Sequence, residues 1–370
     1  MNEYKRLGDY ICEVNVRNRD LKVTEPMGIN INKHFMPSVA NVIGTDLSNY
    51  KIVIQKQFAC NLMHVGRDGK IPMAIHEDEN PIIVSPAYFV FEVLDTDVLL
   101  PEYLMMWFCR EEFDRNAWFY TDADVRGGMD KGAFLDMQLP IPSIERQREI
   151  VAEYETLTRR IRLNEQIIQN LETTAQILYR KMFVDGIDKE NLPEGWRMRT
   201  IGEVVNCFDY KRKPLSEDER KSIKGIYPYY GAMSIVDYLN QYIFDGTYLL
   251  FSEDGANVID ELGHPALQYL WGKFWVNNHA HVLQGNDIVS TEYLYMALKD
   301  VNVSHLVTGA AQPKINQENM NSILLVIPSK EEMVSYNEKV NTIFGYYKLL
   351  VEENKNLTEL QSLLLAKMGK

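Results

Sequence analysis

The side chains whose spacing could support metal chemistry are two histidines, His279 and His281, whose rings would share one face of a β-strand. A zinc site needs three or four ligands, and no acidic residue lies at a fixed spacing from this pair. A structural pair of histidines is therefore the favoured interpretation. The run His-Glu-Asp-Glu at residues 76–79 is interpreted in the same way, as a solvated acidic turn. We predict no metal site.

Motifs for catalysis are equally scarce. The sequence contains no Gly-x-x-x-x-Gly-Lys-Ser/Thr loop for nucleotide phosphates, no Gly-x-Gly-x-x-Gly and no Gly-x-Ser-x-Gly elbow. The Asn/Asp-Pro-Pro-aromatic signature of amino-methyltransferases is absent, since Asn-Pro-Ile at residues 80–82 is a poor match. No cluster of carboxylates with a lysine indicates a nuclease. We predict that the chain has no catalytic residues and is not an enzyme.

The cysteines and the hydropathy indicate the compartment. Cys12, Cys60, Cys109 and Cys207 lie far apart and form no Cys-x-x-Cys pair. Free thiols are therefore favoured over disulfides or a zinc site. No run of 18 uncharged apolar residues occurs, and the amino-terminal residues lack the apolar core of a signal peptide. These features predict a cytoplasmic protein without a membrane span.

Net charge, taken alone, gives no support for nucleic-acid binding. The chain carries −13, of which −7 falls in residues 1–141 and −6 in residues 188–328. Affinity for nucleic acids depends mainly on neutralising phosphates with lysine and arginine. A DNA-binding interpretation must therefore rest on local positive patches.

Two such patches occur in turns. Basic residues crowd the loop-rich stretch 211–224, and others lie at the equivalent place in the first half, in residues 17–22. Basic clusters are usually solvated surface. Their recurrence at equivalent places favours contact with phosphates, which can position a duplex even where the net charge is negative.

Two stretches have the spacing of a coiled coil. Beginning at Ile150, and again 186 residues later at Tyr336, apolar residues recur at alternating steps of four and three. An average step of 3.5 keeps one stripe facing a partner helix, so the chain supplies its own partner. The predicted seam comprises Ile150, Tyr154, Leu157, Ile161, Asn164, Ile168, Leu171, Leu178, Tyr336, Val340, Ile343, Tyr347, Leu350, Asn354, Leu357 and Leu364.

The helices belong to a longer internal repeat. Residues 201–205 match 7–11 at an offset of 194, and the two basic turns keep that offset. Ser-Glu-Asp-Gly at 252–255 is matched with Gly-Arg-Asp-Gly at 66–69. A match of several local signals in the same order indicates a duplication.

The predicted fold is mixed α/β. It has two globular domains, each followed by a long helix, and the two helices form an antiparallel coiled coil with pseudo-two-fold symmetry. Prolines at residues 140 and 142 end the first domain, Ser143 offers an N-cap, and Ser-Lys-Glu-Glu at 329–332 has the form of a capping box. In chain order the predicted segments are domain 1 (1–141), the central helix (142–187), domain 2 (188–327) and the second helix (328–370).

The seam contains one polar pair. If the helices run antiparallel about the midpoint of the repeat, facing positions have numbers that sum to 518, and Asn164 meets Asn354. A buried asparagine pair fixes the register of a coiled coil at a cost in stability. We predict that this pair fixes the length of the spacer.

Particular motifs resemble a known family. The run Leu-Pro-Ile-Pro-Ser-Ile-Glu-Arg-Gln-Arg-Glu-Ile-Val at 139–151 resembles the junction between domain and conserved helix in specificity subunits of type I restriction–modification systems. Thr-Gly-Ala-Ala-Gln-Pro-Lys-Ile-Asn at 308–316 resembles a segment near the end of their target-recognition domains, and Gly-Trp at 195–196 is also similar. The second junction, at 325–333, lacks the Glu-x-Gln of the first.

This resemblance implies a non-catalytic DNA-recognition subunit. Each globular domain would read one half of a split target in double-stranded DNA. The helices would space the two domains and dock two methylation subunits, with an endonuclease and translocase subunit joining outside. The methyl donor and ATP would bind to those partners, and no cofactor to this chain. A helix over residues 145–183 would reach roughly 58 Å at about 1.5 Å per residue. One turn of DNA is about 34–36 Å.

The residues for DNA contact follow from the basic turns and the neighbouring loops. The candidates are Arg17, Arg19, Lys22, Arg67, Lys70, Arg126, Lys131, Lys211, Arg212, Lys213, Lys221, Lys224 and Lys314. Two other interpretations remain open. One is a protein-binding scaffold held by a coiled coil, and the other is the specificity subunit of a related bipartite restriction system.

Overall fold

The computed structural model describes residues 4–38, 44–63, 65–121, 127–255, 257–309 and 312–368, without the side chain of Arg67. The chain divides into two compact units. Unit 1 comprises Met1–Asn164 with Glu352–Lys370, and unit 2 comprises Glu165–Val351. Each unit thus contains one predicted globular domain and part of both long helices.

Unit 1 is built on short strands. The strands are β1 (Tyr4–Arg6), β2 (Ile11–Glu13), β3 (Pro26–Ile29), β4 (Phe35–Pro37), β5 (Lys51–Val53), β6 (Phe58–Cys60), β7 (Met73–Ile75), β8 (Ile82–Val84), β9 (Phe89–Val93) and β10 (Gln138–Pro140). They form two four-stranded sheets, in the orders β2-β9-β6-β7 and β4-β3-β8-β5, and the pair β1-β10. The helices are α1 (Val65–Asp68), α2 (Pro101–Phe108), α3 (Glu111–Phe119), α4 (Lys131–Asp136) and the long helix α5 (Ile144–Phe183).

The core of unit 1 lies on the sheet β2-β9-β6-β7. Phe58 stacks on Phe91 with ring centroids 4.9 Å apart, and Phe108 of α2 lies edge-on to Phe58 at 6.0 Å. Ile150 of α5 belongs to the same buried cluster, and so does Met368. Burial of these apolar groups attaches both helical segments of the unit to its sheet.

Unit 2 has longer strands in one main sheet. The strands are β11 (Arg197–Thr200), β12 (Val205–Cys207), β13 (Lys224–Tyr230), β14 (Ile235–Leu239), β15 (Phe244–Ser252), β16 (Leu267–Val276), β17 (Ala280–Gly285) and β18 (Leu324–Ile327). The six-stranded order is β12-β17-β15-β16-β13-β14, and β11 pairs with β18. The helices are α6 (Ile201–Val204), α7 (Glu217–Ser222), α8 (Thr291–Lys299), α9 (Gln317–Asn321) and the long helix α10 (Lys330–Lys367). The prediction of a mixed α/β chain with two sheet-containing units and two long helices is confirmed.

The repeat is visible in the hydrogen bonding of the sheets. The order β2-β9-β6-β7 in unit 1 corresponds to β12-β17-β15-β16 in unit 2, and the pair β1-β10 corresponds to β11-β18. The N–H of Val14 donates to Val90 O, and the N–H of Phe208 donates to Val282 O. Val14 and Phe208 differ by 194, which is the offset that the sequence predicts for the basic turns.

One sequence match is wrong. The N–H of Met129 donates to Leu62 O, and the N–H of Ile315 donates to Glu253 O, both at 2.8 Å. Glu253 therefore corresponds to Leu62 and not to Arg67, so the matched Gly-Arg-Asp-Gly lies several residues too late. Glycine and aspartate recur in many turns, so their presence alone does not identify equivalent turns.

The long helices pack antiparallel inside each unit. In unit 1, the Nδ2 of Asn164 donates to Asn354 Oδ1 at 2.8 Å, and Gln361 Nε2 donates to Thr158 Oγ1 at 2.7 Å. The predicted meeting of Asn164 and Asn354 is confirmed. In unit 2, the rings of Phe183 and Tyr336 are 5.2 Å apart. None of the sixteen predicted seam residues is exposed.

The ends of the helices follow the capping signals. The N–H of Arg146 donates to Ser143 Oγ at 3.3 Å, and Gly186 has φ +75° just after the end of α5. At the start of α10, Ser329 and Glu332 bond reciprocally, so the predicted capping box is confirmed.

Gln147, in the Glu-x-Gln of the first junction, has a role within the fold. Its side chain is fully buried. Its Oε1 accepts from Leu100 N–H at 2.9 Å, and its Nε2 donates to Val98 O and Pro142 O. Met333, at the corresponding place in α10, is a buried apolar side chain. The two junctions therefore differ in how they fix the start of the helix. The first uses a buried amide with three hydrogen bonds, and the second uses a buried apolar side chain.

Two further sequence predictions concern thiols and membranes. All four cysteines are free, as predicted. Among the described residues, no helix is both long enough and apolar enough to span a membrane.

Candidate functional site

The basic turn of unit 1 is partly held by contacts within the unit. Arg17 Nη1 donates to Asn49 O at 2.5 Å, and Lys22 forms an exposed ion pair with Asp20 at 2.8 Å. Arg19 is exposed. The three basic side chains therefore lie on one turn and differ in how strongly neighbouring groups restrict them.

Another basic side chain of unit 1, that of Lys131, lies close to this turn. Lys131 pairs with Glu13, and its Nζ lies 4.7 Å from the centre of the Phe89 ring. Burial lowers the pKa of Lys51; the charge of Glu13 raises it, and the charges of Arg17 and Lys131 lower it. Lys51, which lies in a strand and was not among the sequence candidates, is therefore close to Arg17 and Lys131, with Glu13 beside them.

The remaining candidates of unit 1 lie elsewhere. Lys70 is exposed just after α1. Arg126 lies outside the described residues, as does the side chain of Arg67. These three stay predictions.

The basic candidates of unit 2 differ in whether they form ion pairs. Lys221 pairs with Glu217 of its own helix at 2.7 Å, and Lys224 pairs with Asp237 of the neighbouring strand. In contrast, Lys211 and Lys213 are exposed and form no ion pair with any described acid. They lie in residues 209–213, which we call the basic turn of unit 2.

The central arginine of this turn points inward. Arg212 is 14% exposed, and its Nη1 lies 2.6 Å from Glu253 Oε2 while its Nη2 lies 3.1 Å from Asp209 Oδ2. Nη1 also donates to Ala280 O at 2.9 Å. Because the guanidinium has a fixed planar fork, these contacts hold it in one orientation. Arg212 therefore joins three separate segments of unit 2.

His281 and Lys314 complete this arrangement, which we call the ion-pair network (Asp209, Arg212, Glu253, His281 and Lys314). The Nδ1 of His281 lies 2.6 Å from Asp209 Oδ2, and its Nε2 lies 2.9 Å from Ile315 O. Lys314 Nζ lies 2.8 Å from Glu253 Oε1. Both ring nitrogens of His281 face acceptors, so only the imidazolium makes both hydrogen bonds.

The carboxylates of the network are stabilised in their charged forms. Burial opposes the charge of Asp209, but its hydrogen bond to His281 and the nearby Arg212 hold its pKa below the ordinary value. Burial also opposes the charge of Glu253, but Lys314 and Arg212 lower its pKa. The side chains of Asp209 and Glu253 are only 11% and 12% exposed, so paired charges are required here.

The network is not arranged as a metal centre. Asp209, Glu253 and His281 offer three ligand atoms within 4.8 Å of one another, from separate segments of the chain. However, Arg212 already pairs with both carboxylates, and Lys314 pairs with Glu253 as well. A divalent cation would lie against these positive side chains, and repulsion would oppose its binding. His279, the other histidine of the predicted pair, lies 2.8 Å from Asp254 Oδ1.

Unit 1 shows that the fold does not need the network. At the equivalent positions of Asp209, Arg212, Glu253 and His281, unit 1 has Asn15, Asn18, Leu62 and Phe89. Asn18 is fully buried and bonds to the backbone of Val23. One sheet order therefore supports a turn anchored by a buried, neutral asparagine in unit 1 and a turn anchored by a network of ion pairs in unit 2.

The charged network predicts an acid-sensitive stability. The pKa of Glu253 is lowered in the folded state, so its stabilising effect is complete above the ordinary value of 4.5 and is lost as pH falls through the folded-state pKa. We expect Glu253→Gln to be less stable than the parent at pH 7. The difference should shrink below about pH 4.5, by at most about 1.4 kcal/mol per pH unit. Urea unfolding from pH 3.5 to pH 7 measures this difference.

The matched control is Glu261→Gln, because Glu261 is an exposed acid of the same unit. It should follow the parent at every pH. A gap between parent and Glu253→Gln that does not change with pH would show that the carboxylate is not held by its charge.

Two acidic members of the network, Asp209 and Glu253, were not among the candidate residues singled out from the sequence. Asp209 is 72 residues from His281, and Glu253 is 41 residues from Arg212. No fixed spacing in the sequence indicates that these residues are in contact. Tyr210, which lies within the basic turn and is 77% exposed, was not among the sequence candidates either.

The sequence of this chain is similar to one family model and to known relatives. Residues 193–365 match the model of the type I restriction modification DNA specificity domain. The chain is 33% identical over 141 residues to the specificity subunit S.HindORF215P of Haemophilus influenzae, an alignment that covers 38% of this chain and 35% of that relative. It is 23% identical to the HindI specificity subunit of the same organism, over 80% of this chain and 82% of the relative.

A solved structure shares the fold. The crystal structure of the type I restriction–modification S subunit from M. genitalium superposes with a TM-score of 0.57, covering 100% of this chain and 96% of that chain. The sequence identity is 13%, so this likeness concerns the fold alone.

Proposed function

Because this chain belongs to the family of type I restriction–modification specificity subunits, we propose that it recognises a bipartite DNA target, one half through each unit. The observation that carries the proposal is the repetition of one sheet order in both units. Two copies of one scaffold with different surface turns suit the reading of two different short sequences. The recognition domains would be residues 1–141 and 188–327.

The helices would serve as spacer and docking site. In this proposal residues 142–187 and 328–370 set the separation of the two half-targets and bind two methylation subunits. An endonuclease subunit would join the complex, and the methyl donor and ATP would bind to these partners. The chain itself would act in the cytoplasm without a catalytic step. This division explains how an acidic chain can take part in DNA binding, because the partners would supply much of the positive surface.

Methylation mapping tests the proposal directly. The full chain is co-expressed with the methylation subunit from the same genome, and methylated positions are mapped across the host DNA. We expect one motif of two short half-sequences with a constant gap. Methylation at a continuous motif, or methylation that does not depend on this chain, would overturn the proposal. A protein-binding scaffold would leave random duplex DNA unshifted in gels, with or without the methylation subunit.

The exposed lysines of the basic turn predict a salt effect. Replacing both Lys211 and Lys213 with methionine should weaken binding to all DNA sequences alike. Two lost phosphate contacts should reduce the slope of log K against log salt by about 2. Fluorescence anisotropy of the complex on a labelled duplex between 50 and 200 mM salt, as rough limits, measures the slope.

The control for this prediction is Lys273→Met. Lys273 lies in β16, over the ring of Tyr242, and belongs to the same unit. Its replacement should leave the slope unchanged. An unchanged slope in the Lys211→Met, Lys213→Met variant would show that this turn does not meet phosphates.

A further inference from the structure

We propose that Tyr210 is a sequence-reading residue for the half-target of unit 2, and that Arg212 is the positioning residue that holds it in place. This inference rests on the proposed function and assigns to the basic turn a role beyond phosphate contact. In this proposal Tyr210 contacts a base, whereas Arg212, in the same turn, does not contact DNA.

The first observation is the exposure of Tyr210. Its side chain is 77% exposed, at the centre of the 3₁₀ turn Asp209–Lys211. Its ring centroid lies 6.3 Å from that of Phe208, and the Nζ of Lys211 lies 5.8 Å from its centre. An exposed tyrosine beside an exposed lysine combines an apolar ring, a hydroxyl that can donate or accept, and a neighbouring positive charge. These are the groups that contact a base edge and its adjoining phosphate.

The second observation is the rigidity of the turn behind Tyr210. On one side, Asp209 accepts from the N–H of Val282 at 2.9 Å and pairs with His281. On the other side, Arg212 is held by Glu253 and by Ala280 O. Residues 210 and 211 therefore project between two anchored residues. An anchored turn loses little conformational entropy when it binds, which favours selective contact.

The third observation is the contrast with unit 1. The equivalent of Tyr210, at the offset of 194, is Val16. The carbonyl of Val16 accepts from Ile52 N–H at 2.8 Å, and Arg17 forms a bridge with Lys51. The two units thus share a framework up to this turn and then differ in backbone and side chain. A difference in a surface turn is expected where two similar domains read different sequences.

The geometry assigns Arg212 to the framework. Its guanidinium is satisfied by two carboxylates and by backbone carbonyls, and it is 14% exposed. It cannot meet a phosphate without breaking these bonds. Among the three basic residues of the turn, Lys211 and Lys213 are the candidates for phosphates, and Arg212 acts through the position of its neighbours.

The test uses the full chain in complex with its methylation subunit. The complex is used to select bound molecules from a pool of random duplex DNA, and the bound fraction is sequenced. The parent should enrich two half-motifs separated by a constant gap. Tyr210→Ala should lose base preference about tenfold or more at one or two positions of one half-motif. The other half-motif should be unchanged, and thermal unfolding should match the parent because the side chain is exposed.

Two variants complete the design. Tyr238→Ala removes a tyrosine that is 49% exposed on β14, at the opposite edge of the sheet from β12, and should enrich the parental motif. Arg212→Met should lose the same positions as Tyr210→Ala and keep the other half-motif. An Arg212→Met variant that loses both half-motifs, or neither, contradicts a positioning role.

The outcomes separate this inference from the proposed function. A parent complex that enriches no bipartite motif refutes the proposed function and this inference with it. A parent that enriches the motif, together with a Tyr210→Ala variant that enriches it with equal preference at every position, refutes the inference alone.

Discussion

Replacing Phe183 with alanine is expected to lower the unfolding free energy of unit 2 by about 3–5 kcal/mol. Phe183 is 1% exposed, near the end of α5. Its ring lies within 5.2–5.7 Å, centre to centre, of Tyr179, Trp196, Tyr293 and Tyr336. Alanine would leave a cavity at the place where both long helices meet the sheet domain of this unit, and the aromatic contacts would be lost as well.

Hydrogen exchange read by peptide mass spectrometry measures this loss separately in each unit, which a single melting temperature of a two-unit chain cannot do. The control is Ile177→Ala, on the same helix with a side chain 49% exposed, which should cost less than about 0.5 kcal/mol. Under the proposed function, Phe183→Ala should also lose the half-target of unit 2 first. Equal exchange in the Phe183→Ala and Ile177→Ala variants would show that the aromatic cluster does not stabilise the unit.

Replacing Asn164 and Asn354 together with leucine is expected to raise stability by about 1–2 kcal/mol and to relax the register of the helices. Asn164 is fully buried, and its Nδ2 donates to Asn354 Oδ1 and to Glu353 Oε2. Its own Oδ1 has no partner among the described residues. Asn354→Leu alone would remove one acceptor from a buried amide and should cost about 1 kcal/mol.

The functional result expected of the double variant is methylation at targets with more than one gap length. Methylation mapping measures the gaps, and urea unfolding measures the stability. Ile168→Leu, an apolar exchange in the same seam, should keep one gap length. If the double variant has parental stability and a single gap length, the asparagine pair does not fix the spacer.

The coiled coil could be predicted from the sequence because its information is local and periodic. The step of 3.5 residues gave the seam, and the symmetry of the repeat gave the meeting of Asn164 and Asn354, which the structure has at 2.8 Å. The capping box at Ser329 was recognisable for the same reason, since all its groups lie within four residues. Signals of this kind do not depend on the rest of the fold.

The candidate site could be predicted only in part. The sequence located the basic turn of unit 2, but it could not separate Arg212 from Lys211 and Lys213. That separation depends on Glu253, 41 residues away, and on the strand that carries His281. Such contacts are made by the tertiary fold, and a single sequence contains no pattern for them. Gln147 is a similar case, because its place in a family motif did not reveal its bonds to Val98 and Leu100.

The division of the chain has a consequence for synthesis on the ribosome. Unit 2 is inserted into unit 1, whose parts Met1–Asn164 and Glu352–Lys370 are separated by the whole of Glu165–Val351. The sheets of unit 1 can form early, but the buried cluster that contains Ile150 is incomplete until Met368 has been made. A nascent chain therefore exposes an apolar helix face for the time needed to make the inserted unit. At about 5–20 residues per second this interval is on the order of ten seconds or more, in which a chaperone can bind.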